Sequence, residues 1–198
     1  MKQTDILIIG AGISGAVLAE RYASIGKKVL VIEKRSHIAG NCYDYTDENG
    51  ILVSKYGAHL FHTNDQTVWR YVNQFSDWYP WEHKVKARVD GKSVPIPVNI
   101  TTVNELFGLS IEDEQQMKVW LEENRIPISR PRNGKEAVLN RVGAVLYEKM
   151  FRHYTKKQWD KYPEELDASV LERIPVRTNF DDRYFSDEGQ ALPAGGYT

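Results

Sequence analysis

The 198-residue chain has a single cysteine, Cys42. That excludes an intrachain disulfide and any metal site built from several cysteines. The plainest role for Cys42 is a small, buried side chain rather than a redox centre. No apolar run approaches the ~18 residues of a membrane-spanning helix, so no membrane span is expected. Lys and Arg number 26 against 27 Asp and Glu, a net charge of −1. Without bulk basicity there is no sign of a nucleic-acid partner. Internal repeats and low-complexity tracts are also missing, which sets aside solenoids and disordered tails. Met1 leads almost directly into an apolar strand, leaving no room for a signal peptide, so the expected location is cytoplasmic.

What is present is a foldable composition: 41% hydrophobic residues, enough for a real core. The length suits one large domain, or one domain with part of another. The most informative stretch comes first. An apolar run, Asp5–Ile9, leads into Gly10-Ala11-Gly12-Ile13-Ser14-Gly15, then a helical stretch, then a second apolar run, Val29–Ile32, ending on Glu33. Glycines at this spacing permit a tight turn, close approach of backbone to a pyrophosphate, and close helix–strand packing. The free N–H groups and dipole of a helix N-terminus favour the pyrophosphate charge. Glu33 lies 18 residues past Gly15, where its carboxylate can accept from a ribose hydroxyl. Gly12, Ala16, Ala19 and Ala23 recur at helical spacing, and Gly26 fits the helix stop. An ordinary crossover needs neither three glycines nor an acid closing the second strand.

The residues after Glu33 decide which dinucleotide is expected. Lys34 and Arg35 are followed by Gly40-Asn41 and polar, hairpin-like sequence rather than by another crossover helix. This resembles flavoproteins of the glutathione-reductase type, in which FAD lies extended from the glycine motif. FAD is therefore expected rather than NAD.

Further along, Tyr43–Tyr45 and Ile51–Val53 flank Asn49-Gly50, and Lys84–Val89 and Ser93–Val98 flank Asp90-Gly91, two hairpin signals. Asn64-Asp65 can cap a helix from Gln66 to about Phe75. Pro95 and Pro97 suit an edge strand. From Thr101 the pattern turns helical: Thr101-Thr102 capping Val103–Phe107, a helix from about Asp113 to Asn124, and another from Lys135 to about Phe151. A strand-like return follows at Arg183-Tyr184-Phe185.

Residues 151–185 read FRHYTKKQWDKYPEELDASVLERIPVRTNFDDRYF, and residues 56–63 read YGAHLFHT. With the opening motif, these resemble the bacterial UDP-galactopyranose mutases, from the first strand to Thr198. The ending ALPAGGYT resembles an internal segment of that family, so the chain reads as the N-terminal portion of a longer one. The resemblance implies an α/β fold. Residues 1–80 would form a Rossmann-like FAD-binding βαβ region with the flavin-contacting segment, and 81–100 a connecting β-hairpin. Residues 101–172 would be an inserted, mostly helical substrate domain, and 173–198 a mobile loop with the start of the return to the sheet.

It also implies a function. Members interconvert UDP-galactopyranose and UDP-galactofuranose for cell-surface polysaccharide, with N5 of reduced FAD as nucleophile on the anomeric carbon. Gly10, Gly12, Ile13, Ser14, Gly15, Glu33, Lys34, Arg35, Gly40, Asn41, His59 and Leu60 match cofactor-binding positions. Trp159 matches the tryptophan packed on uracil, with Phe151 and Thr155 nearby. Tyr154 and Tyr184 match diphosphate-binding tyrosines. Arg173 matches a mobile-loop arginine that closes on the diphosphate, a task suited to its fixed charge and fork of donors. Together with Arg173, His59 and His62 are the catalytic candidates, placed beside the isoalloxazine. Three positions depart from the usual pattern: Ile13 for phenylalanine, Met150 for an aromatic, and His83, near the substrate, for asparagine. The full-length family is dimeric, and the fragment alone is not expected to turn over. The competing readings are an amine-oxidase-like FAD oxidoreductase and a non-catalytic nucleotide-binding fragment.

Overall fold

The computed structural model describes residues 3–198. The chain divides into two units: the first runs up to Trp81 and resumes at Asp187–Thr198, and the second is the continuous stretch Glu82–Ser186. The hairpin beyond residue 81 thus groups with the helices, and the chain re-enters the first unit at Asp187.

In the first unit, β1 (Ile6–Ile9) pairs in parallel with β2 (Val29–Ile32), and α1 (Ile13–Ser24) crosses between them. Short β-branched runs joined by a helix of this length give the parallel crossover. Gly26, at φ +80°, stops the helix and donates its N–H to Ala23 O. Gly15 makes the closest helix–strand contact: a Cβ there would sit 2.0 Å from Gly10 O and 3.5 Å from Ile8 Cγ2. The expected small-residue stripe is only partly used, since Ala16 and Ala23 are exposed. Strand alternation turns Ile8 toward α1, while Leu7, Ile9, Leu30 and Ile32 share the opposite face and are exposed.

The Asn49-Gly50 signal gives the hairpin of β3 (Asp44–Thr46) and β4 (Leu52–Ser54). Then come β5 (Phe61–Thr63), α2 (Gln66–Val72) and β6 (Trp78–Pro80). The Asp65 carboxylate caps α2, accepting from Thr67 and Val68 N–H. The helix stops three residues earlier than its pattern suggested.

The second unit opens with β7 (Val85–Val89) and β8 (Lys92–Ile96). Asp90 and Gly91, at φ +51° and +79°, form the two-residue turn whose twist matches the strands. Next is α3 (Ile100–Phe107), capped by Asn99 instead of Thr101: Asn99 Oδ1 accepts from Thr102 N–H, and Thr102 Oγ1 accepts from Asn99 N–H. The helices α4 (Glu114–Asn124) and α5 (Gly134–Leu146) are capped by Asp113 and Asn133. The single helix expected up to residue 151 is an α-helix followed by a π-helical turn, and helix continues beyond it. After α5 come a π-helical turn, Tyr147–Arg152, and α6 (His153–Trp159). Gly143, at φ +79°, kinks α5, where a side chain would strike Asn124 O at 2.0 Å. Last is α7 (Ala168–Glu172). Val94, Ile100, Val103, Met117, Val138 and Leu146 lie at the centre of this unit's core, all essentially without solvent contact.

The chain then supplies β9 (Gly189–Pro193) to the first unit, between β5 and β6 and antiparallel to both. The strand-like Arg183-Tyr184-Phe185 is not that return. Arg183 makes only a single bridge to Lys84, and the segment is a loop. The buried Asp44 carboxylate accepts the N–H groups of Tyr197 (2.7 Å) and Thr198 (3.1 Å). Among the described residues no helix is long and apolar enough to cross a membrane, and no cluster of His, Cys, Asp and Glu could hold a metal ion. Cys42 is half-buried, and burial pushes its thiol pKa up.

Candidate functional site

The sequence-predicted residues separate cleanly between the units. In the first, Gly10, Gly12 and Gly15 wrap the start of α1. No side chain caps this helix and none in its first turn is acidic, so no side chain of α1 takes up its leading N–H groups. Ile13 and Ser14, in the first turn, are exposed. Glu33, just after β2, accepts from Ala11 N–H (2.7 Å) and Arg35 N–H (2.9 Å). Those bonds, Arg35 first, hold its carboxyl below the ordinary range, so it presents a charged acceptor beside the turn.

Gly40 comes against the same turn. Gly12 bridges Ala39, and a Cβ at Gly40 would lie 3.0 Å from Gly12 Cα. Arg35 donates to Asn41 Oδ1 (2.9 Å) and lies over the Tyr56 ring at 4.9 Å, while Lys34 is exposed. Three glycines at a helix start, an ionised acid at the second strand and a backbone pressed close to the first glycines fit the ADP half of a dinucleotide.

The histidine segment belongs to another sheet of this unit. His59 Nδ1 pairs with Gly57 O at 3.0 Å, with the half-buried Leu60 next to it. His62, on β5, meets Asp187 Oδ2 through Nδ1 at 2.6 Å. The carboxylate fixes that ring orientation.

The second unit holds every predicted substrate residue. Trp159 ends α6 with 47% of its surface exposed, and the Arg173 guanidinium lies 5.4 Å from its ring centroid. Tyr154, five residues back, lies within electrostatic reach of Tyr184, and burial is the main cause that raises its pKa, followed by Tyr184. His83 meets Tyr184 edge-on at 5.8 Å, and His83 O accepts from Tyr184 N–H at 2.6 Å. Trp159 and Arg173 thus form one contact and Tyr184 and His83 another, with Tyr154 within electrostatic reach of both Tyr184 and Arg173. Phe151 and Thr155 are not on that surface: both are buried, Phe151 as part of the core.

Two arginines that sequence reasoning passed over support this cluster. Arg141, on α5, donates to Leu171 O and Glu172 O, both at 3.3 Å, just ahead of Arg173. Arg177 donates to the carbonyls of Asp181 (3.2 Å), Arg183 and Phe185 (3.3 Å). The only sequence signal was an acid four residues after Arg177, at Asp181, which pairs with it.

Residues 8–75 match the family model described as an NAD(P)-binding Rossmann-like domain, and residues 149–198 the model described as UDP-galactopyranose mutase. All of the chain aligns, at 41% identity, with 52% of a probable UDP-galactopyranose mutase of Klebsiella pneumoniae. It is also 41% identical to the dTDP-fucopyranose mutase of Escherichia coli, covering 98% of this chain and 52% of that one. A UDP-galactopyranose mutase of Mycoplasma genitalium is 31% identical, with 98% and 49% covered. The crystal structure of a reduced UDP-galactopyranose mutase superimposes with a TM-score of 0.74 at 24% identity, over 98% of this chain and 44% of that one; this supports the fold. The chain spans about half the length of the curated relatives it matches. Along its whole length, the chain is a homologue of about half of the UDP-galactopyranose mutase polypeptide and of its dTDP-fucopyranose counterpart.

Proposed function

We propose that this chain carries the cofactor grip and the nucleotide site of a flavin-dependent mutase that interconverts pyranose and furanose forms of a nucleoside-diphosphate sugar. The observation that carries this reading is the gathering of Trp159, Arg173, Tyr154 and Tyr184 in one unit. A flat base stacks on the open indole of Trp159. Arg173 and the two tyrosine hydroxyls supply donors for the diphosphate, and the arginine's permanent charge offsets the charge that builds as the diphosphate leaves the sugar.

In the first unit the N–H groups at the start of α1 take the cofactor's pyrophosphate, and Glu33 takes its ribose, with Lys34, Arg35, Gly40 and Asn41 alongside. Reduced FAD, when bound, supplies the nucleophile at the anomeric carbon, through N5. His59 and His62 serve proton movement near that chemistry, and Asp187 fixes the tautomer of His62.

The two relatives at 41% identity are named for different substrates. UDP-galactose is therefore the first substrate to test and dTDP-fucose the second. Binding is tested on the chain itself: UDP should quench Trp159 fluorescence, and a protein blind to UDP and dTDP alike would end the reading. Turnover is tested in a polypeptide joining this sequence to the counterpart of the relatives' other half. Conversion should require dithionite and consume no oxygen. Arg173→Ala should abolish it with folding retained; an oxygen-consuming reaction would point instead to an amine-oxidase-like enzyme.

A further inference from the structure

We propose that Arg177 is a positioning residue for the diphosphate site, acting through Tyr184 without touching the nucleotide. This rests on the diphosphate role given to Tyr184 above. The Arg177 side chain is only 10% exposed. Its guanidinium is spent inside its own loop: Nη1 on Asp181 O and Arg183 O, Nη2 on Phe185 O, with the Asp181 carboxylate 3.3 Å away. Two of the three carbonyls flank Tyr184, so one rigid fork fixes the backbone on both sides of that tyrosine.

The base of the fork is fixed as well. Arg177 N–H donates to Val98 O at 2.9 Å, and Val176 bridges Val98. Asn99 Nδ2 reaches Asp181 O at 3.2 Å, and Ile100 N–H reaches Asn179 O at 3.1 Å. The end of β8 and the cap of α3 thus hold the loop's start, Arg177 closes it from within, and Tyr184 N–H pins it to His83 O. What emerges is a Tyr184 whose backbone is fixed on both sides before any nucleotide arrives. Lysine, a point charge on a flexible stem, cannot span three carbonyls in one plane.

The test compares UDP with uridine, which carries the base but no phosphate, on the whole chain. Arg177→Lys should weaken UDP about tenfold, the loss of one hydrogen bond to a charged group, and leave uridine within about twofold. In a Tyr184→Phe background the same substitution should cost UDP less than about twofold more, because both act through one hydroxyl. Equal losses for UDP and uridine, no loss for either, or additivity with Tyr184→Phe would overturn the proposal. If Tyr184→Phe alone leaves the UDP-to-uridine ratio unchanged, it is the diphosphate role of Tyr184 that fails. A second measurement needs no variant. In the unsubstituted, nucleotide-free chain the Arg183 and Tyr184 amides should exchange slowly. Free exchange until UDP is added would mean the nucleotide, not Arg177, orders the loop.

Discussion

The two units use their apolar side chains in opposite ways. The second closes Val94, Ile100, Val103, Met117 and Leu146 into a core without solvent contact. The first lays Leu7, Ile9, Leu30 and Ile32 on one sheet face in register and leaves that face open, with Ile9 81% exposed. Parallel strands are ordinarily covered on both faces, so half of this sheet's burial is unrealised in the chain as it stands. The substrate residues therefore sit on a self-sufficient scaffold, and the cofactor residues on a scaffold that is only half-packed.

Substitutions can break this contrast. Ile100→Ala should cost about 2–5 kcal/mol, the usual range for emptying a buried aliphatic site, whereas Ile9→Ala should stay within about 0.5 kcal/mol. Urea melts of the two variants decide, and comparable losses would mean that the β1–β2 face is covered in solution. Next in size, Trp159→Ala should weaken uridine and UDP together by about tenfold or more, since base–aromatic stacking is worth ~1–3 kcal/mol. Fluorescence or calorimetric titration reads this, and an unchanged uridine affinity would remove the indole from the site.

Within the glycine turn, Gly15→Ala should strip bound FAD, because its new Cβ would lie 2.0 Å from Gly10 O, while Gly12→Ala meets nothing nearer than 3.7 Å in the fold. The flavin absorbance of the purified variants distinguishes them.

The smallest effect belongs to pH. Asp181 is held down to about 2, first by its bond to Arg183, against an ordinary value of 3.8. A depressed folded-state pKa gives stability that is complete above about pH 4 and lost as pH falls toward 2. Asp181→Asn should lose roughly 1 kcal/mol at neutral pH, allowing for partial solvent screening. It should also flatten the stability profile between pH 4 and 2, read by melts across that window.

Much of this arrangement was legible beforehand where local chemistry decides it. The glycine turn, Glu33, the Asn49-Gly50 and Asp90-Gly91 hairpins and the caps at Asp65 and Asp113 are set by residues within a few positions of one another. Other features answered to distant partners. Arg183-Tyr184-Phe185 has β-favouring side chains yet is held as a loop, because Arg177 takes its carbonyls. Gly189–Pro193, with a glycine and a proline and no β-branched residue, is a strand because it finds β5 and β6 waiting on either side. Asn99 displaced Thr101 as the cap because its side chain also serves the carbonyl of Asp181. Trp159 and Arg173 could be singled out only through family resemblance, since nothing in the 13 residues of intervening sequence announces that their side chains meet.

The placing of β9 carries a consequence for the order of events on the ribosome. β5 and β6 are made early and, among the described residues, do not pair with each other; each pairs there only with β9, which emerges about a hundred residues after β6. Until then both are open edges, the kind that recruit foreign strands. The whole of Glu82–Ser186 is made in that interval and, being continuous, is free to settle first. The nucleotide unit is thus born before the sheet that flanks it in sequence can close, and a pause in translation between residues 81 and 189 would lengthen the time those edges stay bare.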